Sequence, residues 1–313
     1  MSPRLSVIIC TRNPRPDYLQ RVFGALQRQT FPTTEWELIL VDNNSREPLE
    51  STVVVSWHSN ARVVRENNIG LTHARLRGFS EAASPVLIYV DDDNVLALDY
   101  LATAIRLADD MPFIGVWSAS IQGEFETPPE PWMKSYLPYL ALTEFETDRW
   151  ANHPQGKTLP VGAGMVVRRR VLEAYHASLR TNPHRLGMDR TTDSLLAGGD
   201  TDIGLAACSI GLGCAYMTTL HVTHLISAKR LTPYYLSKLV EDVTASHRLL
   251  DLIHGIKLCG TRNILRLRLR LLIASPFGHL SSIGFRIALA RGYLKGTVLF
   301  QRISRPSEKW EPR

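Results

Sequence analysis

Cysteine is scarce in this chain: Cys10, Cys208, Cys214 and Cys259 are scattered over 313 positions. None is spaced as a zinc site or as the paired framework of a small secreted domain, which excludes both and points to a reducing compartment. No Gly-x-Gly-x-x-Gly follows the first apolar run, which argues against a dinucleotide oxidoreductase. An early Gly-rich loop with a phosphate-binding Arg or Lys is also absent, which disfavours a sugar-phosphate nucleotidyltransferase. The opening Met-Ser-Pro-Arg-Leu-Ser carries no apolar core behind its positive charge and does not read as a signal peptide. There is no repeat or low-complexity tract, and no run reaches the roughly 20 apolar residues of a membrane span. These absences leave a cytoplasmic globular protein. At 44% hydrophobic residues, the chain can bury one large α/β domain and an extension.

Charge is unevenly shared. Residues 256–313 hold 12 Lys or Arg against 2 Glu, so the net charge of +6 leaves a mildly acidic body and a strongly basic tail. Such a tail is drawn to an anionic surface.

Along the body, short apolar runs alternate with helical patterns. Leu5–Thr11, Glu37–Asp42, Ala61–Arg65 and Val86–Val90 read as strands, while 71–83 and 100–108 read as helices. A helix follows the first strand with apolar Tyr18, Leu19, Val22, Phe23 and Leu26 on one face and Asp17 as its expected N-cap. Strands and helices in this order make a mostly parallel sheet covered on both faces. After Phe113 the rhythm loosens, and the stretch from Glu124 to Trp132, rich in Pro and acid, is expected to be a long loop. Helices are expected again over 171–177, 202–210 and 232–253.

In an open parallel sheet, ligands gather at the carboxyl ends of the strands. Here those ends supply Thr11, Arg12 and Asn13, then Asp42, Asn43 and Asn44, then Asn67, Asn68 and Gly70, then Asp91, Asp92 and Asp93. Three consecutive carboxylates repel one another unless a cation sits among them, so Mg²⁺ or Mn²⁺ with a substrate diphosphate is the expected occupant; the bland alternative is an Asp-rich turn capping the next helix. Arg75 and Arg77 lie two positions apart on one helix, so at most one can face the cleft. Gly198-Gly-Asp-Thr-Asp202 opens a helix, and Asp200 there is either a general base or an ordinary cap. His221 and His224 read as core histidines as readily as metal ligands.

Taken together, Ser6–Asn13, Leu40–Ser45, Glu66–Arg75 and Tyr89–Asn94, in this order, resemble the family 2 glycosyltransferases, an inverting group with the GT-A fold. The resemblance spans roughly the first 250 residues. It implies a GT-A type Rossmann-like α/β domain over 1–255, followed by a basic amphipathic helical tail over 256–313. By that resemblance Thr11, Arg12, Asn13, Asp42, Asn68, Arg75, Asp91 and Asp92 would hold a nucleotide sugar, with Arg75 on its diphosphate. Asp93 and His224 would hold the metal, Gly162–Met165 would line the acceptor side, and Asp200 would be the catalytic base. The family pattern has Glu before that Asp, whereas this chain has Gly199. Gly123–Pro129 resembles a subgroup associated with exopolysaccharide and hormogonium polysaccharide assembly.

The implied function is transfer of a sugar from a nucleotide-diphosphate donor to a glycan or lipid-linked acceptor in cell-surface polysaccharide synthesis. The missing Glu leaves open a catalytically weak sugar-nucleotide-binding or assembly protein of the same fold. Leu265–Ala274 alternates Leu with Arg, and only 15 uncharged residues separate Arg270 from Arg286, which fits helices lying on the inner face of the membrane better than a span; the alternative is a tail of ordinary packed helices with an exposed basic face. Nucleic acid is not expected as a partner, because the tail has few aromatic residues for stacking.

Overall fold

A computed structural model describes residues 2–153, 158–256 and 280–304. Strands β1 (Leu5–Thr11), β2 (Trp36–Asp42), β3 (Ala61–Arg65) and β4 (Val86–Asp91) form the parallel half of one nine-stranded sheet in the order β3-β2-β1-β4. The sheet continues through β8 (Val166–Arg168), β6 (Ile114–Phe125), β9 (Gly213–Ile226) and β5 (Asn94–Leu96), with β7 (Arg149–Ala151) beside β9. In this second half only β6 and β9 run parallel; β8, β5 and β7 are antiparallel to their neighbours.

The apolar run of β1 is buried along its whole length because both faces of the sheet are covered. Leu5, Val7 and Ile9 face one layer with Val22, Leu26, Leu101 and Ala104. Those partners lie on α1 (Pro16–Gln27) and, after the short α2 (Leu49–Thr52) and α3 (Leu71–Glu81), on α4 (Tyr100–Asp110). Ile8 and Cys10 face the opposite layer, with Ala74, Val171 and Ile203 on α3, α5 (Arg169–Thr181) and α6 (Gly199–Ser209). Alternation along one strand thus builds two cores.

Several expectations need correction. Asp17 is not the cap of α1: that helix begins at Pro16 behind Arg15 with no side-chain cap, because proline at the first position needs no N–H partner, and Asp17 pairs with Arg15 instead. After Phe113 the chain runs as the 12-residue strand β6, so the expected loop begins after Phe125 rather than at Glu124. Glu124 and Glu126 are anchored, Glu124 to Arg21 on α1 and Glu126 to Tyr18 on α1 and to Arg15 just before it.

Past β9, α7 (Pro233–His254) starts with the Thr232 hydroxyl accepting from Tyr235 N–H at 3.3 Å and ends on left-handed Gly255. Helix α8 (Leu280–Ile303) packs along it. Gly292 and Gly296 permit this, since a Cβ at either would overlap the Glu241 or Ala245 carbonyl. Lys295 pairs with the fully buried Asp242, and Arg248 stacks 4.5 Å above the Tyr293 ring. Ile287, Leu294 and Val298 stay exposed on the outer side of α8. Among the described residues no helix is long and apolar enough to cross a membrane, and Leu265–Ala274 lies outside them.

Candidate active site

The carboxyl ends of β1 and β4 open into a cavity of about 770 Å³. From β1 come Thr11, whose hydroxyl donates to Asp92 Oδ2, and Arg12, whose buried Nε has no hydrogen-bond partner. Asn13, in the left-handed region at φ 51°, lies outside the cavity wall and ties two loops together. Its N–H donates to Ser45 Oγ at 2.9 Å and its Oδ1 accepts from Arg46 N–H at 2.9 Å.

Asp42, at the end of β2, is also outside the wall and fully engaged. Oδ1 accepts from Ser45 N–H at 2.8 Å, and Oδ2 accepts from Leu49 N–H at 3.2 Å and from Arg65 at 2.7 Å. Burial pushes this carboxyl up, but hydrogen bonds from Ser45 and Leu49 and the Arg65 charge outweigh it and hold it below the usual carboxylate range. Asn68 is exposed and engaged through its backbone: its carbonyl accepts from Asn43 Nδ2 at 2.7 Å and its N–H donates to Glu66 Oε1 at 2.6 Å. Asn43 itself reaches the cavity and fixes Gly70 by accepting its N–H at 2.8 Å.

Asp91, Asp92 and Asp93 all line the cavity. Burial, with repulsion from Asp93, pushes the Asp92 carboxyl up to about 7, although the Thr11 hydroxyl opposes the rise. Asp91 moves up for the same two reasons. Asp93 goes the other way: burial alone would raise it, but His224 and Arg230 hold it well below the usual range. Sheet register brings these partners together, because β5 pairs with β9 so that Asn94 lies opposite His224 and Leu225 N–H donates to the Asp93 carbonyl at 2.8 Å.

Of the two arginines on α3, Arg75 is buried and enters the cavity, whereas Arg77 pairs with Glu81 on the outer face at 2.8 Å. Arg75 Nη1 donates to Asp189 Oδ2 at 3.1 Å. Asp200 stands in the first turn of α6, where the helix N-terminus favours its negative charge. Its Oδ1 accepts from Thr201 N–H at 2.7 Å and its Oδ2 from Gly162 N–H at 2.8 Å. Leu159, Pro160, Tyr139 and Tyr216 make an apolar and aromatic wall on the same side.

Two site residues escape sequence reasoning. Asp189 is buried between Arg75 and α6, and a Cβ at Gly199 would overlap its Oδ2, so the glycine at 199 is what admits this carboxylate. Burial, reinforced by Asp200 and opposed by Arg75, pushes Asp189 up to about 6. Arg230 follows β9 on the turn Ala228–Leu231 and reaches Asp93 Oδ2 at 2.7 Å. Neither lies at the end of an apolar run, the signal that marks Thr11, Asn43 and the aspartates of β4.

The donor set can be tested for a divalent cation. Among the described residues no three His, Cys, Asp or Glu side chains converge closely enough to hold one. Asp93 Oδ2 and His224 Nε2, however, stand 3.3 Å apart and both face one point. One carboxylate and one imidazole fit a cation that takes its other ligands from substrate phosphates and water.

Among curated protein sequences none matches the chain. Solved structures do resemble it. The mannosyltransferase PcManGT from Pyrobaculum calidifontis, in complex with GDP-mannose and Mn²⁺, superposes with a TM-score of 0.55 at 18% identity, covering 97% of this chain and 74% of the other. S. aureus TarS 1–349 gives 0.51 at 15% identity, covering 97% and 90%. At such identities the likeness speaks for the GT-A fold alone. The sequence pattern of the family described as "Glycosyl transferase family 2" matches residues 6–175, more than half of the chain and the segment that carries Thr11, Arg75 and all three cleft aspartates of β4. With that match joined to the sheet and cleft, this chain belongs to glycosyl transferase family 2.

Proposed function

We propose that this protein is an inverting glycosyltransferase that moves a sugar from a nucleotide-diphosphate donor to a glycan or lipid-linked acceptor at a membrane surface. The observation that carries the reading is that Asp200 lines the same cavity as Arg75 and Asp93, so a base and a diphosphate site face one space. The donor lies over Thr11, Arg12 and Asn43, its diphosphate toward Arg75 and the aspartates of β4. Asp93 and His224 hold Mg²⁺ or Mn²⁺, which when bound would offset the charge of the departing diphosphate. The Mn²⁺ and GDP-mannose in the mannosyltransferase neighbour support this choice of ligands.

The acceptor enters along Tyr139, Leu159 and Tyr216. Asp200, at the start of α6 and fixed by the Gly162 amide, takes the proton from the acceptor hydroxyl. That oxygen attacks the anomeric carbon, the bond from the carbon to the phosphate oxygen breaks, and the nucleoside diphosphate leaves from the opposite face. The anomeric configuration therefore inverts. The basic residues beyond 255 and the exposed apolar side of α8 support peripheral contact with an anionic membrane at its inner face. Cell-surface polysaccharide synthesis, the exopolysaccharide subgroup included, is the pathway this reading favours.

Calorimetry against UDP-, GDP- and dTDP-sugars with and without Mn²⁺ identifies the donor, and transfer is then compared for wild type and Asp200→Asn. Retained donor binding with transfer reduced about 100- to 10,000-fold is expected for a lost general base. Equal turnover by the two proteins would remove Asp200 from that role, and a wild type that binds a donor without transferring its sugar would favour an assembly role.

A further inference from the structure

Arg230 sits where the two metal donors meet. Its Nη1 donates to Asp93 Oδ2 at 2.7 Å and lies 2.9 Å from His224 Nε2. A single guanidinium nitrogen therefore bridges the two atoms assigned to the cation. The arginine side chain is only 13% exposed, and its buried Nε has no hydrogen-bond partner. His224 Nε2 is the ring nitrogen that faces both Arg230 Nη1 and Asp93 Oδ2, and Nδ1 on the other side of the ring is buried and has no hydrogen-bond partner. The nitrogen facing the arginine is the one a metal ion needs.

We propose that Arg230 is a built-in stand-in cation: in the donor-free protein it closes the Asp93–His224 pair, and a divalent ion enters only by displacing it. The inference rests on the reading of Asp93 and His224 as the metal pair. Two cations cannot share the same lone pairs at this distance, so occupancy is exclusive. The turn that carries Arg230 is fastened from outside the cleft, since Glu126 Oε2 accepts Ala228 N–H at 2.8 Å while Glu126 Oε1 holds Tyr18 and Arg15. A nucleoside diphosphate would tip the exchange, because it adds ligands to the metal and offers the released guanidinium a new anionic partner. The device keeps the acidic floor neutralised when no donor is present and couples metal entry to donor entry.

The test is Mn²⁺ binding to the full-length protein without nucleotide, followed by electron paramagnetic resonance of the free ion. Arg230→Gln is expected to bind Mn²⁺ about 10-fold or more tightly than wild type, the effect of removing one charge-assisted hydrogen bond from the competing side. The added affinity should vanish when Asp93→Asn is combined with it. Glu126→Ala, which loosens the turn and leaves Arg230 in place, should raise the affinity in the same direction by a smaller factor. It decides the matter if Arg230→Gln fails to fold, as judged by circular dichroism. Mn²⁺ affinities in both variants equal to or below that of wild type, with Asp93→Asn still weakening binding, would overturn the role of Arg230. Absence of Mn²⁺ binding in every protein, with GDP or UDP present or absent, would instead overturn the metal pair itself, and this inference with it.

Discussion

Val41-Asp42-Asn43-Asn44 and Val90-Asp91-Asp92-Asp93 are near twins in sequence, each closing a buried parallel strand with a valine and a run of short polar side chains. Their physical states are opposite. At the end of β2, Asp42 has two backbone donors and Arg65 around its carboxylate and is held ionised as part of the scaffold. At the end of β4, three carboxylates face a cavity; His224 and Arg230 outweigh burial at Asp93 and hold it low, while burial and the Asp93 charge win at the other two and push them up. One strand end spends its charge on folding. The other turns its carboxylates to an open cavity, as a site for a charged ligand requires.

The largest effect that would break this contrast is Asp42→Ala. Three donors lose their acceptor in a buried place, so unfolding in urea should show a loss of about 3–5 kcal/mol. If stability held and donor affinity collapsed instead, Asp42 would belong with the acids of β4 as a ligand. A smaller effect is expected at Gly199→Ala, whose new Cβ overlaps Asp189 Oδ2 and pushes that carboxylate off Arg75. Overpacking of this kind costs about 1–3 kcal/mol. Asp189→Ser removes the obstacle, so the double variant should lose less than the two single losses combined, by about 1 kcal/mol or more of coupling. Strict additivity would mean that Asp189 does not occupy the space that Gly199 leaves.

The first half of this sheet was legible because its signals are local. β3 was expected residue for residue at Ala61–Arg65, and helical geometry alone separated Arg75 from Arg77. The strands β6 and β9 were not legible: their register is set by each other across a long sequence separation, and β6 alternates between buried and exposed only near its end. The site divides in the same way. Aspartates at strand ends follow from the rule that ligands collect there, yet which of them is consumed by the scaffold depends on where Arg65, Ser45 and Leu49 fall in space. Asp189 and Arg230 reach their partners Arg75 and Asp93 across 114 and 137 residues of sequence, and no local pattern carries that distance. Asn13 and Asn68 sit in the right loops, but their side chain or carbonyl is turned to loop contacts outside the cavity.

The finest test of the contrast uses Asp92, which a removal of charge should stabilise where the same change at Asp42 would harm. Burial and Asp93 raise its folded-state pKa to about 7, above the roughly 3.9 of an unfolded aspartate. The protonated form is therefore the favoured one in the fold. Its contribution to stability is complete below about pH 4 and is lost as pH climbs through 7. Asp92→Asn stays neutral throughout and can still accept from Thr11, so it should melt a few degrees above wild type at pH 8, about 1–2 kcal/mol for a chain of this size, and coincide with it near pH 4. A variant that melts lower at pH 8 would mean that the Asp92 charge supports the fold, and the two strand ends would then differ in sequence neighbours alone and not in what they are built to do.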